Sequence, residues 1–222
     1  MSICSAPQPR LVCAEYFHSQ LVVEATLVQT SELHDKNDPQ GISAYAYTLR
    51  VNRTLRGKMA GTIRVNESND SGRATFDWVS GREYLLFLFY AQDEKSWKLD
   101  GCGNSGPLSK AKMALSEIAA IKAARGGGVI QGVARDSEEL PYTAMPGVHV
   151  EAQGTTGPYL ATTNQKGEFQ MDVPAGKYIV RVVDRGLFFD KARFSYEDPS
   201  KIQIEPGGCA QVEFAKVERP PA

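Results

Sequence analysis

The sequence predicts a mainly β protein in which one helix separates two β-rich domains. Apolar and polar residues alternate through much of the 222-residue chain, a period typical of strands with one solvated face. The period changes over 108–125, where apolar residues recur every three or four positions as in an amphipathic helix. Three glycines at 126–128 then predict a flexible joint. We therefore place one domain at 1–125, a linker at 126–128 and a second domain at 129–218.

The first domain is predicted to contain a short helix and five or six strands before the longer helix. The short helix covers 11–20, and the strands cover 21–29, 42–55, 62–66, 82–90 and a segment through Trp97 and Leu99. The run at 82–90 is the most apolar and predicts a central strand buried on both faces. The polar stretch 30–41, with Asp38-Pro39 and Gly41, predicts a long loop.

The second domain is predicted to be a sandwich of seven strands. These are 129–135, 148–153, 159–163, 167–173, 177–183, 201–205 and 210–217. The clearest pattern lies at 162–183, where two alternating segments flank Pro174-Ala175-Gly176. Proline presets φ and glycine tolerates a positive φ, so we predict a β-hairpin here.

Composition and motifs exclude several function classes. The net charge of −1 and the pI of about 6.3 give no global attraction to nucleic acid or to an anionic membrane. The longest apolar run, 84–91, is shorter than the ~20 residues of a membrane helix. Basic residues cluster at 50–64, but strand alternation sends Arg53 to the opposite face from Arg50 and Arg56. We predict no nucleic-acid partner and no membrane insertion.

Catalytic and metal-binding patterns give no candidate residue. His18, His34 and His149 lie far apart without metal-ligand spacing, and no nucleophile elbow, phosphate-binding loop or dinucleotide fingerprint is present. We predict a protein that is not an enzyme, with no catalytic, metal or cofactor residues and no cofactor.

The four cysteines, Cys4, Cys13, Cys102 and Cys209, are widely spaced and form no C-x-x-C pair. Zinc sites usually bring cysteines in close pairs, so this spacing favours disulfides or isolated core thiols. Disulfides would place the protein in an oxidising compartment: extracellular, periplasmic or at the cell surface. No signal peptide precedes Cys4, and we expect one to have been removed.

An aromatic segment at 186–198 is the candidate binding loop. It contains Phe188, Phe189, Phe194 and Tyr196 among five charged residues. Exposed rings could stack on a sugar or on a partner surface. In the alternative, the rings pack beneath the sandwich or against the first domain.

The second domain resembles the carboxypeptidase regulatory-like family, a transthyretin-type and carbohydrate-binding-like sandwich. The resemblance rests on 129–133 (VIQGV), 146–150 (PGVHV), Gly167-Glu168-Phe169 and 174–178 (PAGKY). This family is common in secreted and surface bacterial proteins as a non-catalytic accessory module. The resemblance therefore implies a scaffold or adhesive role with a protein or glycan partner at the cell surface.

The first domain resembles the netrin-like, tissue-inhibitor-of-metalloproteinases type of OB-fold barrel with a closing helix. The matching pieces are Cys4, 51–57 (VNRTLRG), 81–89 (GREYLLFLF) and 97–108 (WKLDGCGNSGPL). The resemblance implies a disulfide from Cys4 to Cys102, and Cys13 could pair with Cys209 only if the two domains touch.

Inhibitory members of that family begin with Cys-X-Cys, whose first cysteine chelates the protease zinc. Here Cys4-Ser5-Ala6 lacks the second cysteine, and three residues precede Cys4. We therefore predict a non-catalytic secreted or cell-surface binding or scaffold protein. The alternatives are metalloprotease inhibition by the first domain and glycan binding by the sandwich.

Overall fold

The computed structural model describes residues 10–35, 38–69, 74, 76–138, 141–184, 186–192 and 195–218. The chain is mainly β, which confirms the predicted fold class. It divides into two compact units, Met1–Ala119 and Ala120–Ala222. This division falls within the second helix, a few residues before the predicted linker. In the described part of the chain, no helix is long and apolar enough to span a membrane.

The first unit opens with helix α1 (Val12–His18), close to the predicted short helix. Its strands are β1 (Leu21–Asp35), β2 (Asp38–Arg56), β3 (Thr62–Ser68), β4 (Glu83–Ala91), β5 (Ser96–Leu99) and β6 (Gly106–Pro107). A 3-10 turn at Leu108–Lys110 follows, and helix α2 covers Lys112–Ala123. The α-helix therefore begins four residues later than predicted, because its first turn is wound as 3-10 helix.

Five strands of the first unit form a closed barrel. The sheet order is β1-β2-β3-β5-β4-β6, and β1 pairs with β4 as well as with β2, which closes the ring. Strands β3 and β5 are parallel, whereas the other neighbours in the ring are antiparallel. Register shifts between β1 and β2 allow β1 to bend around the ring. Strand β4 is buried from Tyr84 to Leu88, as predicted for a central strand.

The predicted loop at 30–41 is wrong, because residues 30–35 and 38–41 continue the β1–β2 ladder. Their pairs run from Thr30 opposite Tyr47 to Asp35 opposite Asp38. The hydroxyl of Ser43 also donates a hydrogen bond to the carbonyl of Leu33 at 2.9 Å. The stretch is polar because it extends past the segment of β1 that pairs with β4, where side chains such as Thr30 and Glu32 are exposed.

The second unit is a sandwich of two four-stranded sheets. Its strands are β7 (Gly128–Arg135), β8 (His149–Gly154), β9 (Gly157–Thr162), β10 (Glu168–Val173), β11 (Gly176–Val182), β12 (Phe188–Lys191), β13 (Ile202–Ile204) and β14 (Cys209–Val217). One sheet has the order β10-β7-β14-β12 and the other β13-β11-β8-β9. Seven strands match the predicted ones, and β12 is the addition.

The predicted hairpin at 162–183 is wrong, although both of its strands are present. Strand β10 belongs to one sheet and β11 to the other, so Pro174 lies in an arch between the sheets. Phe169 and Met171 from β10 and Val180 from β11 all lie in one buried core cluster. Alternation predicts each strand and its inward residues, but a hairpin and an arch share that pattern.

Two of the three glycines in the predicted linker have packing roles within the sandwich. The amide of Gly207 donates to the carbonyl of Gly127 at 2.9 Å. A Cβ on Gly128 would lie 2.0 Å from the carbonyl oxygen of Gly208, whereas one on Gly126 would meet nothing within 4 Å. Close backbone approach, rather than flexibility, therefore explains the glycine at 128.

Candidate functional site

The predicted binding loop does not form a single exposed aromatic surface in the structure. Phe188 and Phe189 lie in β12, where alternation points them to opposite faces. Phe188 is 38% exposed, whereas Phe189 packs against the sandwich core. Tyr196 is half-buried, and Phe194 lies outside the described residues.

The segment after β12 follows the edge of β14 and is attached to it by side-chain hydrogen bonds. The hydroxyl of Ser195 accepts from the amide of Glu213 at 3.1 Å. The carboxylate of Glu197 accepts from the amide of Gln211 at 2.7 Å. This segment is therefore part of the sandwich edge, which the sequence did not indicate because its polar residues resemble those of a solvated loop.

The prediction of disulfides rather than free thiols is confirmed for the described cysteines. Cys13, Cys102 and Cys209 are each disulfide-bonded. Cys4 lies outside the described residues, so the predicted bond from Cys4 to Cys102 stays a prediction. The pairing of Cys13 with Cys209 also stays a prediction.

A buried carboxylate on α1 is hydrogen-bonded to the loop that carries Cys102 in the first unit. Glu15 of α1 is 1% exposed, and its carboxylate accepts hydrogen bonds from the amide and the side chain of Asn104, at 2.6 and 2.7 Å. Burial raises the pKa of Glu15, despite the opposing charge of Arg10 and the Asn104 hydrogen bonds. A Cβ on Gly103 would lie 2.1 Å from the carboxylate. These contacts fix α1 against the loop that carries Cys102.

Two side chains that the sequence draws attention to, His149 and Arg56, have structural partners. His149 contacts Asp184 at 2.7 Å through Nδ1, and its amide donates to the same carboxylate at 2.7 Å. Arg56 lies over the rings of Tyr16 and Phe17, at 5.4 and 5.2 Å from the ring centroids. Where residues are described, no group of three or more His, Cys, Asp or Glu could hold a metal ion.

A buried ion pair lies on the sheet that contains β7 and β14. Arg135 Nη2 is 3.7 Å from Glu213 Oε2, and the two side chains are 3% and 1% exposed. The guanidinium of Arg135 lies 4.8 Å from the centroid of Tyr142. Within the described part of the chain, neither carboxylate oxygen of Glu213 has a hydrogen-bond partner. Burial raises the pKa of Glu213 to about 7, against the lowering effect of Arg135.

The candidate binding site is an open groove on the second sheet of the sandwich, which we call the sandwich groove. It has a volume of about 550 Å³ and lies where β8, β11 and β13 meet. It is lined by Gln153, Gly154, Thr155, Lys177, Tyr178, Ile179, Ser200, Lys201, Ile202 and Gln203. Its volume falls within the range of about 300–1,000 Å³ that is typical of small-ligand sites.

Strand register brings the exposed side chains of the sandwich groove together. Lys177 of β11 lies opposite Gln203 of β13, and Ile179 of β11 lies opposite Gln153 of β8. Directly opposed antiparallel residues have Cβ atoms about 5 Å apart. Lys201, just before β13, is also exposed. The groove thus combines two amides, two ammonium groups and one aliphatic side chain.

Sequence reasoning missed the sandwich groove, although it predicted every strand that forms it. Gln153, Lys177 and Gln203 are the outward residues of predicted strands. The sequence signal that could have identified them as surface residues was their alternation with buried neighbours. What the sequence could not supply was the order β13-β11-β8, which makes these three strands adjacent.

No protein-family model matches the chain, and no curated protein matches it. A crystal structure of GBS52, the minor pilin of Streptococcus agalactiae, has 14% identity and a TM-score of 0.33, covering 92% of this chain and 86% of the pilin. BcpA, the major pilin subunit of Bacillus cereus, has 9% identity and a TM-score of 0.33 over 92% of this chain. This chain spans 62% of the BcpA chain. Identities and TM-scores this low do not support a conclusion about fold or function, so the two family resemblances stay predictions.

Proposed function

We propose that this chain is a non-catalytic binding or scaffold protein located outside the cytoplasm, in a periplasmic, extracellular or cell-surface compartment. The observation that carries the proposal is the oxidation of Cys13, Cys102 and Cys209, which are all disulfide-bonded. Disulfides persist in oxidising compartments and are rare in the cytosol.

The strand order supports the two family resemblances. The ring β1-β2-β3-β5-β4 is compatible with a five-stranded OB-type barrel, the fold of netrin-like domains. The two facing four-stranded sheets are compatible with a transthyretin-type sandwich of the carboxypeptidase regulatory-like family. Accessory sandwiches of that family act by binding rather than by catalysis, which agrees with the proposed role.

Localisation and thiol state test this proposal together. The tagged full chain is expressed in its source organism, cells are fractionated, and thiols are alkylated before and after reduction. We expect the protein outside the cytoplasm, with no alkylation until reductant is added, and we expect it to bind the isolated cell-envelope fraction. A cytoplasmic protein with four reactive thiols contradicts the proposal.

Glycan binding by the sandwich is the alternative that a specific observation favours. The sandwich groove offers side-chain amides and hydroxyls, which both donate and accept hydrogen bonds, as sugar hydroxyls do. Metalloprotease inhibition depends on Cys4, which lies outside the described residues, and we do not propose it.

A further inference from the structure

We propose that the sandwich groove binds an acidic saccharide, in which a sugar carboxylate is held by Lys177 and Lys201. This inference rests on the proposed binding function and specifies the ligand class of its site. Its first support is a local surplus of positive charge in a chain whose net charge is −1.

The surplus arises because the two lysines lack the acidic partners that other cations on this sheet have. Arg181 contacts Glu151 at 2.7 Å, and His149 contacts Asp184 at 2.7 Å. Among the residues that the structure describes, neither Lys177 nor Lys201 has an acidic group within 4.0 Å.

Asp198 is the acidic residue that the charge of Lys201 influences, and it is occupied by another partner. Its carboxylate accepts hydrogen bonds from the amide and hydroxyl of Ser200, at 3.0 and 2.7 Å. These hydrogen bonds are the main reason that the pKa of Asp198 is lowered, and the charge of Lys201 adds a smaller effect. The Asp198 carboxylate also lies more than 4.0 Å from the ammonium group of Lys201, which leaves that group able to contact a ligand carboxylate.

The polar lining favours a sugar over an acidic peptide. Gln153 and Gln203 present amides and Thr155 presents a hydroxyl, which can each both donate and accept, whereas the Ser200 hydroxyl donates to Asp198 and can accept from a ligand. Ile179, at 53% exposure, is the large apolar side chain that the groove exposes, whereas Tyr178 and Ile202 are buried at 4% and 2%. A protein partner would normally require larger apolar anchors at the centre of its interface.

The turn after β8, at one end of the groove, packs on the ring of Tyr178, which is itself buried in the sandwich core. The hydroxyl of Tyr178 donates to the carbonyl of Pro174 at 2.8 Å. The ring lies so close to Gly154 that a Cβ there would be 2.4 Å from Tyr178 Cε1. This contact fixes the turn after β8 at one end of the groove. A fixed wall lowers the ordering cost of binding.

Calorimetric titration of the full chain with trigalacturonate tests the proposal, and the fully methyl-esterified trisaccharide is the matched uncharged probe. We expect binding of trigalacturonate that weakens as the ionic strength rises, because charge pairs near a surface are screened by salt. We expect no measurable binding of the ester. Equal binding of the two saccharides, or no binding of either, overturns the proposal. Tighter binding of triglutamate than of trigalacturonate also overturns it, in favour of an acidic protein partner.

Single substitutions locate the site. Lys177→Ala and Lys201→Ala should each weaken trigalacturonate binding by about five-fold, the effect of losing roughly 1 kcal/mol of charge interaction. Lys166→Ala removes the same charge beyond the opposite end of β9 and should change nothing. Unchanged affinity in both groove variants, at wild-type melting temperatures, places the ligand elsewhere and overturns the proposal.

The envelope-binding measurement separates the failure of this inference from the failure of the proposed function. A chain that binds the envelope fraction but not trigalacturonate retains the proposed function and loses the acidic saccharide. A chain that binds neither loses both.

Discussion

The Glu213 carboxyl, buried beside Arg135, should make the unfolding free energy of this protein depend on pH. Burial raises the pKa of the Glu213 carboxyl from 4.5 to about 7. The native state therefore binds this proton more tightly than the unfolded chain does. The stabilisation from protonation is fully present below pH 4.5 and is lost as the pH rises through about 7. Glu213→Gln, whose amide does not titrate, should remove this dependence.

The expected magnitude follows from the same values. A rise in pKa from 4.5 to about 7 corresponds to about 3 kcal/mol of unfolding free energy, since one pKa unit is worth about 1.4 kcal/mol. The effective dielectric around buried pairs in proteins is higher than that of a dry interior, so we expect a loss of about 1–3 kcal/mol between pH 4.5 and 7. At pH 4.5 the Gln variant should be about as stable as the wild type, because the protonated carboxyl and the amide are both neutral beside the buried charge of Arg135.

Urea denaturation of both proteins at several pH values between 4.5 and 7.5 measures this effect. The relevant quantity is the difference in unfolding free energy between wild type and variant. Burial lowers the pKa of His18, and this difference cancels the contribution of that residue. Glu151→Gln, which removes a carboxylate from the pair with the exposed Arg181 side chain, serves as control and should keep the wild-type slope. If Glu213→Gln also keeps the wild-type slope, Glu213 does not titrate between pH 4.5 and 7 and the reasoning is refuted.

Three further predictions concern stability and covalent structure. Glu15→Ala should lower the unfolding free energy by about 2–3 kcal/mol in urea denaturation, because it removes the buried acceptor of two Asn104 donors; a loss below about 0.5 kcal/mol, roughly the level of a surface substitution, would refute this. Gly128→Ala should cost more than about 1 kcal/mol by clashing with a backbone carbonyl, while Gly126→Ala should be neutral, and equal melting temperatures would contradict the packing argument. Non-reducing peptide mapping should find Cys4 linked to Cys102 and Cys13 linked to Cys209, whereas four free thiols would exclude both bonds.

The sequence predicted individual strands better than the connections between them. The unbroken apolar run at 82–90 identified β4 as a strand buried on both faces. It failed at 30–41, where polar residues and Asp38-Pro39 indicated a loop. Backbone pairing with β2 decides the structure there, and such pairing leaves little trace in a polar segment whose side chains are exposed or only half-buried.

The aromatic segment shows a related limit of sequence reasoning. Phe188 and Phe189 both suggest exposure when they are read as members of a loop. In a strand, adjacent side chains necessarily point to opposite faces, so one ring packs against the core while the other is partly exposed. Sequence alone did not predict that strand, because four residues are too few to establish a period.

The arch at Pro174 determines where the sandwich groove lies, because it places β11 in the second sheet. If 162–183 were a hairpin, Lys177 would lie beside β10 and its exposed acidic residue Asp172. The arch instead places β11 between β8 and β13, so Lys177 lies opposite the uncharged Gln203 and two residues from Ile179. The positive charge of the groove therefore follows from the connection between sheets rather than from local composition. The conformation of one connection, Pro174-Ala175-Gly176, thus decides whether Lys177 lies beside an acidic residue or on a surface suited to a carboxylate.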